Sequence, residues 1–105
     1  MAQFDIYLNE DKTTQTRYPY LLDIQVDLLS DLPTRLVVPL RRGTGAEPWV
    51  VSRLHPVLEL DGGSVVAVFS EMAAVAASVL GNRVGDARGQ RNELIAAVDL
   101  MVTGF

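Results

Sequence analysis

One stretch of this sequence carries a sustained helical period: Gln90-Arg91-Asn92-Glu93-Leu94-Ile95-Ala96-Ala97-Val98-Asp99-Leu100-Met101-Val102-Thr103-Gly104-Phe105. It holds no proline, and its only glycine is next to last. Leu94, Val98, Met101 and Phe105 recur at helical spacing, with Ile95 and Val102 widening the stripe. That is an amphipathic helix with one buried face. Asn92, Ala96, Asp99 and Thr103 fall on the opposite side. Thr103-Gly104-Phe105 is expected to form a short tail, suited to packing or to recognition.

The rest of the chain is broken into short pieces that read mostly as strands. Residues 3–8 alternate, with Gln3, Asp5 and Tyr7 on one face and Phe4, Ile6 and Leu8 on the other. Residues 9–17 are polar and aperiodic, a loop. Residues 18–27 alternate again, Tyr20, Leu22, Ile24 and Val26 against Leu21, Asp23, Gln25 and Asp27. Pro19 stands near that strand's start, where a missing N–H is tolerated. Leu28 and Leu29 follow in a turn-like context. Adjacent leucines point opposite ways in extended chain, so either one plugs the end of a barrel or the pair forms a contact surface.

Residues 35–40 make a third strand, closed by Pro39-Leu40. Arg41-Arg42-Gly43-Thr44-Gly45-Ala46-Glu47-Pro48 reads as a mobile loop. It lacks the Gly-Lys-Ser/Thr of a phosphate loop and the dinucleotide glycine pattern. Residues 54–60 are read as a strand, and Asp61-Gly62-Gly63 as a hairpin turn leading to a strand over residues 64–70. For residues 71–81, alanine content and Gly81 favour a helix on propensity alone. Residues 82–89 read as loop. Short strands, turn signals and one clear helix predict a small curled sheet or barrel with a helix packed on it.

A chain of 105 residues, 49% apolar, supports one domain with one core, expected to span residues 1–105. Thirteen acids against nine bases give a net charge of −4, a poor basis for gripping phosphate backbones. The chain has no cysteine, which removes disulfides, zinc ribbons and thiol nucleophiles. No apolar run is long enough to span a membrane, and no signal peptide stands out near the first residues, so a cytosolic protein is expected. Asp23 and Asp27 share a strand face roughly 13 Å apart, too far for a paired-carboxylate site. His55, the only histidine, precedes a proline and has no partner at metal or triad spacing. It reads as a packing or surface residue. No catalytic, metal or cofactor site is expected.

Taken together, the motifs resemble the CcdB family, the toxin half of a bacterial toxin–antitoxin pair. The likeness runs through Gln3-Phe4-x-Ile6-Tyr7, Leu22-Asp23-Ile24-Gln25-x-Asp27-Leu28-Leu29, Arg35-Leu36-Val37-Val38-Pro39-Leu40 and Leu54-His55-Pro56-Val57-Leu58. It continues through Met72-Ala73-Ala74-Val75, Ser78-Val79-Leu80-Gly81, residues 91–101 and Gly104-Phe105. The resemblance implies a mainly β (α+β) fold of CcdB/MazF type, an SH3-like barrel of antiparallel strands with a C-terminal α-helix, assembled as a homodimer. It places a strand at residues 72–80, and that reading is preferred over the helix because tertiary context overrides propensity.

The function implied is poisoning of DNA gyrase in the bacterial cytoplasm, as in plasmid maintenance. The toxin binds the gyrase A subunit and traps the cleaved-DNA complex, making and breaking no bond itself. Carried over, the gyrase contacts are Leu28, Leu29, Asp99, Thr103, Gly104 and Phe105. Thr103 stands where the best-known members have tryptophan, which could stack on an arginine as threonine cannot. Asp99 replaces a neutral asparagine, and an acid can pair with an arginine instead. A CcdA-like antitoxin, with a tail that folds on binding, is expected at the loops after the first and third strands, here Asn9, Asp11, Lys12, Arg41 and Arg42. Direct nucleic-acid and membrane partners are not expected. The alternatives are a MazF-like mRNA endoribonuclease on the same barrel, or an inactive relative serving as an antitoxin-binding module.

Overall fold

The computed structural model describes residues 2–104. Seven antiparallel strands form one curled sheet: β1 (Asp5–Asn9), β2 (Tyr20–Asp23), β3 (Thr34–Arg42), β4 (Val57–Leu60), β5 (Gly63–Ala67), β6 (Ala73–Ala76) and β7 (Leu80–Asp86). Helix α1 (Arg91–Thr103) follows. The strand order is β4-β5-β3-β2-β1-β7, with β6 also on β3. The architecture is mainly β, a half-barrel with a helix after it, as the sequence predicts.

Strand β3 is the girder. Its first half, Thr34 to Val37, pairs with β6, and its second half, Leu40 to Arg42, pairs with β5. Pro39 sits where the partner changes. Its carbonyl accepts the Val68 N–H at 3.0 Å, so its nitrogen also faces that gap, where no ladder bond is required of it. The β4–β5 hairpin closes through Asp61 (φ 52°) and Gly62 (φ 77°), a two-residue loop whose twist suits the strands.

At the two ends of the strand order, the sheet curls back on itself. Gly85 of β7 lies against Leu60 of β4, so close that a Cβ there would stand 2.9 Å from Leu60 Cδ1. Register shifts on either side of Tyr7 in the β1–β7 ladder supply part of the curl. The concave face holds Ile6, Leu22, Val38, Leu40, Leu58, Val65 and Phe69, and α1 caps it with Leu94 and Ala97. A smaller apolar cluster, Tyr7, Leu21, Val37 and Leu80, covers the other face. That second cluster is why β2 is buried on both sides, where strict alternation predicts one polar face.

Several expectations need correction. Phe4 is not in the first strand. It turns at φ 71° and drops its ring into the core, and the strand runs Asp5–Asn9 instead. The irregularity after Tyr7 exposes Leu8, expected on the apolar face with Phe4 and Ile6, and Asn9, read as loop, is the buried last residue of the strand. The strand read over residues 54–60 is only Val57–Leu60, because Leu54 and His55 belong to a hydrogen-bonded turn closed on the Val51 carbonyl. The strand read over 64–70 ends at Ala67, and Phe69–Glu71 is a 3-10 turn. Residues 73–76 are strand, as preferred over helix, followed by a 3-10 turn at Ala77–Val79. Residues 82–86, read as loop, belong to the seven-residue β7, which β1 recruits despite two glycines.

Candidate functional site

The segment after β2 does not enter the core. Asp27–Leu29 is a 3-10 turn that holds both leucines outward, Leu28 88% and Leu29 45% exposed. Val26 and Leu32 extend the apolar surface on either side. Presenting this much aliphatic surface to water is unfavourable, so the turn must be held from beneath.

Gln25 provides that hold. Its Nε2 donates to the Leu29 carbonyl at 2.7 Å, and its Oε1 accepts the Leu36 N–H at 3.0 Å. Gln25 N–H in turn donates to Asp23 Oδ1 at 3.0 Å, and Arg35 Nε donates to Asp23 Oδ2 at 3.1 Å. Asp23 and Arg35 are fully buried as an ion pair. Burial pushes the Asp23 carboxyl above its ordinary range, opposed by the Arg35 guanidinium and the Gln25 N–H. From the other side, Gln3 N–H donates to Asp27 Oδ1 at 2.7 Å. The polar residues of the Asp23-Ile24-Gln25-x-Asp27 motif thus support the exposed leucine turn.

Helix α1 presents the second set. Leu94 and Ala97 are buried, and Ile95 and Val98 pack against the core. Beyond Val98 the helix loses cover: Met101 is exposed and Val102 is 70% exposed. The expected buried stripe therefore stops one turn early, and Ala97, which that stripe does not include, takes a core place. Asp99, Thr103 and Gly104 are exposed. Thr103 Oγ1 donates back to the Asp99 carbonyl at 2.7 Å, and Gly104 (φ 81°) ends the helix with its N–H on the Leu100 carbonyl. Phe105 lies outside the described residues. No hydrogen bond or ion pair among the described residues ties this end to the leucine turn.

The residues expected to meet an antitoxin differ in availability. Asn9 is buried, and its amide serves its own loop: Nδ2 donates to Thr14 Oγ1 at 3.0 Å and the Tyr18 carbonyl at 2.8 Å, while Oδ1 accepts the Asp11 N–H. Asp11 binds the Thr13 hydroxyl and N–H, which lower its carboxyl. Lys12 is exposed. Arg41 lies over the Trp49 ring at 4.7 Å and Arg42 over Tyr20 at 5.6 Å. Arg17 lies over Tyr18 at 5.4 Å, and the three arginines with Thr16 and Pro19 line a cavity of about 290 Å³. A second cavity of about 650 Å³ shares Thr16, Pro19 and Arg42. None of the three arginines is in an ion pair among the described residues, whereas Arg35, Arg83 and Arg88 all are. The part played by Arg17, Tyr20 and Trp49 was missed in the sequence. The available signal was arginine beside aromatics in Arg17-Tyr18-Pro19-Tyr20.

One histidine–serine contact needs a chemical reading. His55 Nε2 lies 3.1 Å from Ser70 Oγ. His55 Nδ1, however, accepts the Val51 N–H at 2.9 Å, so in the neutral ring the proton sits on Nε2. The imidazole then donates to Ser70 and cannot take its proton, so this pair is no general-base dyad. Burial lowers the His55 pKa, which keeps the neutral form. Among the described residues, no group of three or more His, Cys, Asp or Glu could hold a metal ion, and no helix is long and apolar enough to cross a membrane. A family model described as CcdB protein matches residues 3–104.

Proposed function

Because the chain belongs to the CcdB family, a membership that supports a toxin of a toxin–antitoxin system, we propose that it acts by binding the DNA gyrase A subunit. It traps the complex in which DNA is cut and covalently held, and so blocks replication and transcription. It makes and breaks no bond itself. We place the contacts at Leu28, Leu29, Asp99, Thr103, Gly104 and Phe105, presented by a homodimer in the bacterial cytoplasm. Residues 1–105 serve as one toxin domain. A CcdA-like antitoxin neutralises it through the face that carries Arg41 and Arg42.

The observation that supports this reading most is the leucine turn. Two aliphatic side chains are held in water by a buried network of Gln25, Asp23 and Arg35, an arrangement that suits a protein partner. The test is to incubate the protein with gyrase, ATP and plasmid and then denature. Linear DNA with protein attached is the expected product. Cleavage of free RNA by the same preparation would instead point to an endoribonuclease, and neither activity would leave an antitoxin-binding module.

A further inference from the structure

The segment between β3 and β4 is fastened at one residue. Val51 and His55 are joined twice: Val51 N–H donates to His55 Nδ1 at 2.9 Å, and His55 N–H donates to the Val51 carbonyl at 2.7 Å. Leu54 N–H shares that carbonyl at 2.9 Å. His55 Nε2 fastens the turn to Ser70, beside the core residue Phe69. The Trp49 ring meets the His55 ring edge-on, centroids 5.8 Å apart, and Arg41 lies over Trp49. Contacts therefore run without a break from a buried imidazole to an arginine on the face assigned above to the antitoxin.

We propose that His55 is a positioning residue for this face: its neutral ring holds Trp49 and Arg41 in place, and protonation releases them, weakening the hold on an acidic polypeptide. The inference rests on the proposed antitoxin face for its biological meaning, not for its mechanism. Protonation puts a hydrogen on Nδ1, directly opposed to the Val51 N–H, so the donor loses its acceptor and the turn keeps only its two bonds to the Val51 carbonyl. The charged groups carried by the surrounding elements are Arg53 on the same turn, Glu47 before it, Arg41 on β3, Glu71 next to Ser70, and Arg91 and Glu93 on the first turn of α1. No carboxylate among the described residues bonds the ring, so an imidazolium there would have no anionic partner.

The folded pKa lies below the ordinary 6.5. The unfolded chain therefore takes up its proton first as pH falls. The stability of the fastened turn is complete above 6.5, is lost between 6.5 and the lowered value, and levels off below it.

The sequence makes the test clean, since it contains one histidine and one tryptophan. The imidazole is titrated by NMR between roughly pH 8 and pH 5, while Trp49 fluorescence is followed over the same range. The expected result is a Trp49 transition whose midpoint matches that of His55 and lies below 6.5. In His55→Gln, whose amide can both accept from Val51 and donate to Ser70, Trp49 emission should be flat across that range. A peptide copying the tail of a CcdA-like antitoxin should bind the wild-type chain at least about fivefold more weakly below the transition than above it. Trp49 emission that ignores the His55 titration overturns the proposal, whatever the peptide does. A peptide that binds at neither pH, with the two titrations still coincident, instead removes the antitoxin assignment and leaves the fastening intact.

Discussion

Asp5 shows how one buried carboxylate can hold several elements. It sits in β1, with Arg83 Nε at 3.0 Å and Arg88 Nη2 at 2.9 Å from its Oδ1, and with the Tyr7 hydroxyl 3.3 Å from Oδ2. Burial acts to raise its pKa, but the two guanidiniums outweigh that and leave the carboxyl below 3.8. A depressed carboxyl contributes stability that is complete above the unfolded value. That contribution is lost as pH falls through 3.8 toward the folded value. Asp5→Asn should therefore cost about 1 kcal/mol at neutral pH, a modest figure because both arginines are half in water. It should also flatten the acid limb of a plot of urea midpoint against pH. An acid limb as steep in the variant as in the wild type would show that other groups carry it. This role was not legible in the sequence, where Asp5 is one acid on an alternating strand. The arginines that hold it lie about eighty residues away, in a stretch read as loop.

At the scale of elements, the leucine turn and its support are separable. Leu28→Ser touches nothing buried and should change stability by less than about 0.5 kcal/mol, while the proposed gyrase poisoning should fall sharply. Gln25→Ala strands the Leu29 carbonyl and the Leu36 N–H and should cost about 1–3 kcal/mol. It should weaken poisoning as well, since the turn is then loosely held. Urea denaturation and the plasmid assay read the two effects independently. Full poisoning by Leu28→Ser would take that residue out of the contact. The sequence made this region half legible. The pattern leaves the two leucines as either plug or surface, and the resemblance favours surface. What propensity could not show was β7, because Gly81, Asn82, Gly85 and Asp86 are poor strand formers. The strand exists because β1 has an edge to fill and the curled sheet has a seam to narrow. For residues 73–76 the same competition ran against helix propensity, and pairing with β3 decided it.

For the molecule as a whole, the two ends of the curled sheet approach each other at Gly85. A Cβ at Gly85 would stand 2.9 Å from Leu60 Cδ1, so Gly85→Ala pushes that half-buried side chain off its rotamer and should cost about 0.5–1.5 kcal/mol. Adding Leu60→Ala makes room, and the pair should be less destabilised than the sum of the two single changes. Strict additivity in a double-mutant cycle would mean that the end strands do not press on each other. The half-barrel itself was readable from strand lengths and turn signals, but the contact between its ends was not, since nothing local marks Gly85 as different from a loop glycine. The strand order carries one more consequence, for synthesis on the ribosome. β1 is made first, yet one of its two neighbours is Leu80–Asp86. Until that segment emerges, the nascent chain carries an open strand edge that any passing extended peptide can occupy. The helix that seals the concave face is later still. A chain halted before residue 80 therefore lacks both the seam and the cap, and is a target for chaperones or proteases before it can be a toxin.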